Sequence, residues 1–216
     1  MIAIVDYGAG NLSSVKKAFY HLGAEVAIAG QSSTVDAADK IVLPGVGHFS
    51  ALSALNSAGL REALLKGILA GKPFLGICLG MQWLFDGSEE APDLPGATLF
   101  SGRCRQFPAK VKSPHVGWNS LSLPAALKSG HSEHRESGPG KSRPAKSRLL
   151  CLLPSDPFVY FTHSFYAPVT PATSATTDYG LPFSAAVERD NIFGVQFHPE
   201  KSGAAGLLIL KAFCEV

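Results

Sequence analysis

A cysteine in the middle of this sequence stands where a nucleophile would be held. Cys78 lies in Gly-Ile-Cys-Leu-Gly (76–80), and glycines two positions before and two after it permit a sharp turn from a strand into a helix. Such a turn lifts the sulfur clear of the sheet and places it at a helix N-terminus, where backbone N–H groups favour a thiolate. The pattern predicts a cysteine that attacks carbonyl carbons. The competing interpretation is a buried cysteine that packs as a small apolar side chain.

A histidine and a glutamate that suit this cysteine stand near the end of the chain. In Phe-His-Pro-Glu-Lys-Ser (197–202), His198 ends an apolar run, proline fixes the next turn, and Glu200 follows two residues after the histidine. A cysteine nucleophile needs a base that takes its proton, and the base needs a partner that holds its tautomer. The sequence therefore predicts a catalytic triad of Cys78, His198 and Glu200.

The elements that must position these residues alternate in the first half of the chain. Apolar runs predict strands at 1–5, 24–29, 40–43 and 74–77, and helical spacing predicts helices at 12–22, 49–55, 60–69 and 81–85. This alternation favours a parallel sheet with helices on both faces. Cys78 and His198 both follow predicted strands, so they lie at the carboxyl edge where such sheets collect their active sites.

The second half of the chain has a different pattern. An acidic loop is predicted at 86–95, and a C-terminal helix at 203–215 with Ser202 as its N-cap. Short segments predict strands, several of them antiparallel, at 97–107, 115–123, 158–162, 183–187 and 192–197. The expected fold class is therefore α/β, an open and mostly parallel sheet flanked by helices with an antiparallel extension.

Composition limits the class of protein. The 216 residues, 46% hydrophobic and 17% charged, predict one domain over 1–216, with a Ser-, Gly- and Pro-rich flexible insertion at 128–148. A net charge of +2 and no basic stripe argue against nucleic acid. No signal peptide or membrane-spanning run is visible, so we expect a cytoplasmic protein. The four cysteines are scattered, which predicts reduced thiols and no metal site.

Two glycine loops follow predicted strands. Gly8-Ala9-Gly10 lacks the third glycine of the dinucleotide fingerprint, and no acidic residue closes the second strand, so no cofactor is predicted. Pro-Gly-Val-Gly (44–47) permits backbone N–H groups to approach a reacting oxygen, although an ordinary turn has the same composition.

The motifs resemble those of a known family. G-I-C-L-G-M-Q (76–82) followed by H-P-E-K-S (198–202) resembles the class I, triad-type glutamine amidotransferases, in which a cysteine attacks the side-chain amide of glutamine and releases ammonia. Four further segments resemble the glutaminase subunits of imidazole glycerol phosphate synthases, from histidine biosynthesis: D-Y-G-A-G-N-L (6–12), P-G-V-G (44–47), V-G-W-N (116–119) and Y-F-T-H-S (160–164). The resemblance spans the chain apart from 128–148.

The resemblance implies roles at the matching positions. Cys78 forms a glutamyl thioester, His198 is the acid and base, and Glu200 orients it. The resemblance further implies an oxyanion region at Val46, Gly47 and Leu79, substrate contacts from Gln82, Thr162, His163 and Ser164, and a partner-facing surface that includes Asn11, Trp118 and Lys201.

The resemblance also implies a partner. Ammonia released into water at neutral pH is mostly protonated and cannot attack, so an enclosed route to a second active site is needed. In the family this route enters a (β/α)₈-barrel synthase (cyclase) subunit. This chain has no barrel pattern, so the partner is expected to be a separate polypeptide in a heterodimer. The isolated chain is expected to hydrolyse almost no glutamine.

Two other interpretations stay open at this point. In the first, the chain is a glutaminase-type subunit for another acceptor synthase, or a thiol hydrolase on the same scaffold; in the second, it is a non-catalytic binding partner with the same fold. A cysteine, histidine and glutamate present together count against the second of these.

Overall fold

A computed structural model describes residues 1–123 and 147–216, and its first part alternates short strands with helices. In chain order these elements are β1 (Ile2–Val5), α1 (Leu12–His21), β2 (Val26–Ala29), α2 (Ser32–Ala37), β3 (Lys40–Gly45), a 3₁₀ turn (Phe49–Ser53), α3 (Ala54–Ser57), α4 (Leu60–Leu69), β4 (Phe74–Cys78) and α5 (Leu79–Trp83). Helix α5 thus begins directly after Cys78, two residues earlier than the sequence predicted.

The rest of the described chain is mostly strands. They are β5 (Gly87–Ser88), β6 (Ala91–Pro95), β7 (Arg103–Gln106), β8 (His115–Ser120), β9 (Phe158–His163), β10 (Phe165–Tyr166), β11 (Thr173–Asp178), β12 (Pro182–Arg189) and β13 (Ile192–Val195). A 3₁₀ turn (Pro199–Lys201) and helix α6 (Gly203–Glu215) follow them.

Seven strands form the main sheet, in the order β11-β12-β13-β4-β3-β1-β2. The five strands from β13 to β2 run parallel, and β12 and β11 add an antiparallel edge. Val195 pairs with Ile77, and Gly45 pairs with Cys78, so β13, β4 and β3 end at the same edge. The predicted fold class is confirmed.

Helices cover both faces of this sheet. Helices α2 and α4 pack on one face through side chains such as Val35 and Leu64, whereas α1 and α6 pack on the other through Phe19 and Phe213. Because both faces are buried, the central strands are apolar at nearly every position, which is the reason that they could be recognised in the sequence.

Two smaller sheets lie beside the main one. Strands β10, β7, β5 and β6 form one of them, and β8 and β9 form an antiparallel hairpin in which His115 pairs with His163. Strands β5 and β6 correct the prediction of a loop at 86–95. Helix α2 and strands β10 and β11 were not predicted.

Two further predictions concern the C-terminal part. Ser202 stands at the N-cap position of α6, but the prediction that its side chain caps the helix is wrong. Its hydroxyl instead donates to the His198 carbonyl and accepts from the Tyr160 N–H. The predicted insertion at 128–148 lies outside the described residues except for its last two, Ser147 and Arg148, which bind the Glu188 carboxylate.

In residues 1–123 and 147–216, no helix is both long and apolar enough to span a membrane.

Candidate active site

The turn that carries Cys78 is built on close contacts that only glycine permits. A Cβ atom at Gly76 would overlap the carbonyl of Gly80, and one at Gly80 would overlap the carbonyl oxygen of Leu43 on β3. The missing side chains let α5 begin immediately above the sheet. Cys78 itself has φ +54° and ψ −106°, a conformation that residues other than glycine rarely adopt. The sequence prediction of a sharp strand-to-helix turn therefore has a steric basis in the structure.

His198 and Glu200 form a buried pair directly after β13. His198 Nδ1 lies 2.9 Å from Glu200 Oε1, and both side chains are 1% exposed. The His198 N–H donates to the Tyr160 carbonyl at 2.9 Å, and the Ser202 hydroxyl donates to the His198 carbonyl at 2.6 Å. Because side chain and backbone are both held, the imidazole has a fixed orientation, with Nδ1 toward the carboxylate and Nε2 away from it.

The electrostatics of this pair favour a base. Burial opposes the charged form of His198, but the Cys78 sulfur and the Glu200 carboxylate more than offset this effect, so the pKa of His198 is raised. Within the described residues, His198 Nε2 makes no hydrogen bond of standard geometry, but the Cys78 sulfur is close enough to raise its pKa. The imidazole is therefore able to take a proton at Nε2 while Nδ1 stays bonded to Glu200.

A cavity of about 230 Å³ opens beside the cysteine. Its lining residues are Val46, Gly47, Cys78, Leu79, Gln82, Glu90, Pro114, Thr162, His163, Ser164 and Phe165. The cavity thus collects the nucleophile, the three residues of the expected oxyanion region and the four expected substrate contacts. These positions span more than 110 residues of the chain, and the main sheet and the β8–β9 hairpin bring them together. His198 and Glu200 are not among the lining residues.

Comparison with known proteins decides the family. The sequence profile of the glutamine amidotransferase class-I family matches residues 3–215. The chain belongs to this family. A glutamine amidotransferase of known structure superposes on this amidotransferase with a TM-score of 0.72 at 15% identity, covering 100% of this chain and 98% of that one. PurLQS from Thermotoga maritima, at TM-score 0.67 and 17% identity, covers 99% and 97%.

Curated relatives are much more similar in sequence than these structures. Imidazole glycerol phosphate synthase subunit HisH of Methanothermobacter thermautotrophicus is 44% identical, over 100% of this chain and 98% of its own length. The protein of the same name from Deinococcus radiodurans is 43% identical, over 98% of this chain and 92% of its own length. The amidotransferase therefore resembles these relatives from end to end.

The sequence analysis missed several residues of the amidotransferase site, among them Gln196 and Glu90. Gln196 is fully buried, and its Nε2 faces the Cys78 sulfur at 3.6 Å while its Oε1 accepts from Gln82 Nε2 at 3.1 Å. Glu90 lines the cavity, and its carboxylate accepts from the Phe49 N–H at 2.8 Å. The available signal for Gln196 was a polar residue inside an apolar run. Glu90 gave no signal, because it stood in a segment predicted to be an acidic loop.

The residues expected to face a partner lie near the triad on the outside. Trp118 is 56% exposed, its ring lies 6.1 Å from that of Tyr160, and Lys201 Nζ lies 5.9 Å above the Tyr160 ring. Asn11, half-buried, precedes α1, which packs against the turn that contains Lys201. Trp118 and Lys201 thus form one surface cluster of the amidotransferase, and Asn11 lies at the start of a helix that adjoins it.

Proposed function

We propose that this protein hydrolyses glutamine to glutamate and ammonia, and passes the ammonia to the synthase subunit of imidazole glycerol phosphate synthase in histidine biosynthesis. Membership of the family and 44% identity along the whole length to a relative of that name support the assignment. The observation that carries the chemistry is the buried His198–Glu200 pair beside a strained cysteine that opens into a cavity.

In the proposed first half-reaction, Cys78 attacks the side-chain amide carbon of glutamine. His198 Nε2 takes the thiol proton, and Glu200 stabilises the imidazolium that forms. The negative oxygen of the tetrahedral intermediate accepts from backbone N–H groups of the Val46–Gly47 segment and of Leu79. His198 then returns the proton to the leaving nitrogen, ammonia departs, and a glutamyl thioester is left on the sulfur.

In the second half-reaction, water replaces ammonia. His198 takes a proton from water, the hydroxide attacks the thioester carbon, and the sulfur leaves and recovers its proton. The balance is glutamine plus water to glutamate plus ammonia, with no cofactor.

Side chains that line the cavity suit the α-ammonium and α-carboxylate groups of glutamine, which do not react. We assign the contacts with its backbone groups to Gln82 and to the segment Thr162-His163-Ser164, all of which line the cavity. Glu90 adds a carboxylate to the lining, and a carboxylate is suited to the α-ammonium group of the substrate.

We further propose that the partner is a separate (β/α)₈-barrel synthase subunit in a heterodimer, docked over Asn11, Trp118 and Lys201. An exposed tryptophan beside a tyrosine is the composition that protein interfaces favour. The cytoplasmic location and the single domain expected from the sequence stay predictions.

The experiment that tests the proposal measures glutamate release from glutamine, with and without a barrel synthase subunit that carries its ribulosyl phosphate ligand. We expect strong stimulation by the liganded synthase, and no turnover for Cys78→Ala in either condition. Turnover without stimulation would support the nucleophile and overturn the pathway. No hydrolysis in either condition would favour a non-catalytic binding partner.

A further inference from the structure

A chain of hydrogen bonds runs from the β8–β9 hairpin to the cavity. Asn119 Nδ2 lies 3.4 Å from His115 Nε2, and His115 Nδ1 lies 3.1 Å from His163 Nε2. His163 Nδ1 lies 2.9 Å from the Phe165 carbonyl oxygen, which belongs to the cavity wall. Three side chains on two strands thus lead to one backbone oxygen.

The end of this chain fixes the direction of every bond in it. A carbonyl oxygen only accepts, so His163 Nδ1 carries the proton and, in a neutral ring, Nε2 accepts. His115 Nδ1 must then donate to it, and His115 Nε2 accepts from the Asn119 amide. When both imidazoles are neutral, each therefore holds its proton at Nδ1.

The surroundings of the two rings keep them neutral. His115 is 3% and His163 7% exposed, and burial lowers the pKa of His115 to about 4 and that of His163 to about 3. Besides each other, the titratable groups near them are Tyr179, whose ring stacks on His115 at 3.9 Å, and His198, whose charge also opposes a proton on His163. Among residues 1–123 and 147–216, no carboxylate offsets these effects.

The Phe165 carbonyl also reaches the reacting centre. It accepts a second hydrogen bond at 2.9 Å from Gln82 Nε2, whose other N–H goes to Gln196 Oε1 at 3.1 Å. Gln196 Nε2 in turn faces the Cys78 sulfur at 3.6 Å. A ring with its proton at Nε2 would set a lone pair against the Phe165 oxygen, which would move both the wall and Gln82.

We propose that His115 and His163 are positioning residues that set the shape of the glutamine cavity through the Phe165 carbonyl. Neither ring has to exchange a proton with substrate. Their function is to hold the 162–165 segment and Gln82 in the arrangement that receives glutamine. The proposal rests on glutamine being the substrate, as argued above.

The first test reads the tautomers directly. In the full-length chain labelled with ¹⁵N-histidine, NMR at neutral pH is expected to show His115 and His163 neutral, with the proton at Nδ1 in both rings; His115→Asn and His163→Asn assign the signals. Either ring charged, or with its proton at Nε2, overturns the proposal.

The second test uses two variants that differ in where they place an amide. His115→Asn keeps an N–H donor near the Nδ1 position, whereas His115→Gln places its amide near Nε2 and loses the donor toward His163. In the complex with the synthase, we expect His115→Gln to raise KM for glutamine about tenfold and to change kcat much less. His115→Asn should restore most of that loss.

The outcomes separate this proposal from the proposed function. Equal losses in the Asn and Gln variants, or a loss in kcat alone, indicate a purely structural role and overturn the proposal. If neither variant folds, the wild-type tautomers decide it. A wild-type complex that does not hydrolyse glutamine refutes the proposed function instead, whatever the tautomers are.

Discussion

At the scale of single residues, the protein contains two kinds of buried histidine. His198 has a carboxylate at 2.9 Å and its pKa is raised, whereas His163 has only neutral partners and its pKa is lowered to about 3. The same side chain is thus a base in one place and a fixed, neutral hydrogen-bonding group in the other. The difference lies in the Cys78 sulfur and the Glu200 carboxylate, which raise the pKa of His198 and have no counterpart among the causes that act on His163.

Replacing that carboxylate tests the assignment of the base. Glu200→Gln keeps the size of the side chain but removes the charge that stabilises the imidazolium, so we expect kcat/KM for glutamine hydrolysis to fall by about 10²- to 10⁴-fold. The assay is glutamate release in the complex with the synthase. The exposed Glu25→Gln is the matched control and should have wild-type activity. A Glu200→Gln enzyme within a few-fold of wild type would remove Glu200 from the triad.

The raised pKa of His198 also predicts how stability depends on pH. Because the folded state binds this proton more tightly than an unfolded histidine, whose pKa is about 6.5, the contribution to stability is complete below about pH 6.5. It is lost as the pH rises through the folded-state pKa. The difference in free energy of unfolding between wild type and Glu200→Gln, measured in urea, should therefore shrink from pH 6 toward alkaline pH. A difference that grows would contradict the assignment.

At the scale of elements, the join between β4 and α5 depends on backbone contacts. A Cβ at Gly80 meets the Leu43 carbonyl of β3, which is part of the sheet and cannot move aside as a flexible side chain would. We therefore expect Gly80→Ala to lower the free energy of unfolding by about 4 kcal/mol or more, or to prevent folding.

A matched control separates this overlap from the general cost of replacing a glycine. Gly23 has φ +75° and no atom within 4 Å of an added Cβ, so Gly23→Ala should cost only about 1–2 kcal/mol, from its backbone conformation. Urea unfolding of both variants makes the comparison. Equal losses at Gly23 and Gly80 would show that the close approach of α5 to β3 is not what requires glycine.

The elements that could be predicted from the sequence are those whose pattern is local. The β4 strand and the turn at Cys78 have an apolar run and paired glycines within a few residues of each other. By contrast, α2 buries only Val35, and its serines and threonine give no helical period. Strand β11 is rich in threonine and lies at an edge, where pairing with β12 decides its structure.

The site shows the same limit. The sequence placed Cys78 and His198 at one edge of a sheet, but that β4 and β13 are direct neighbours follows only from the folded order of strands. The same is true of Gln196, which reaches Cys78 across this pair of strands. Strand β6 was hidden because Ala91–Pro95 contains two prolines and an aspartate, which favour a loop unless a partner strand is present.

At the scale of the whole molecule, the β8–β9 hairpin has two faces with different neighbours. Along β8, His115 and Asn119 belong to the chain of hydrogen bonds that leads to the Phe165 carbonyl, whereas Val116 and Trp118 between them are exposed. Alternation along a strand thus sets an exposed aromatic surface directly behind the cavity wall. A partner bound there would contact the strand that carries His115.

This arrangement predicts the effect of removing the tryptophan. Trp118→Ala should weaken binding of the synthase subunit about tenfold or more, because exposed aromatic side chains that become buried dominate interface energies. The unfolding free energy of the isolated chain should change little. Leu69→Ala, an 82% exposed residue on the opposite face of the sheet, is the control for binding. Unchanged affinity in a titration of Trp118→Ala would place the interface elsewhere.

The buried neutral histidines make a prediction for the whole molecule in acid. Their pKa values of about 4 (His115) and about 3 (His163) lie below the unfolded value of about 6.5, so below pH 6.5 the unfolded chain binds more protons than the folded one. Each should lower the free energy of unfolding by up to about 1.4 kcal/mol per pH unit as the pH falls toward 4. The contribution of His198 is constant in this window, because both states carry its proton there. Urea unfolding between pH 7 and pH 4 measures the slope of the unfolding free energy against pH. In His115→Asn this slope should be smaller by an amount that corresponds to at most one bound proton. An equal slope in the two proteins would mean that His115 is already charged when the chain is folded.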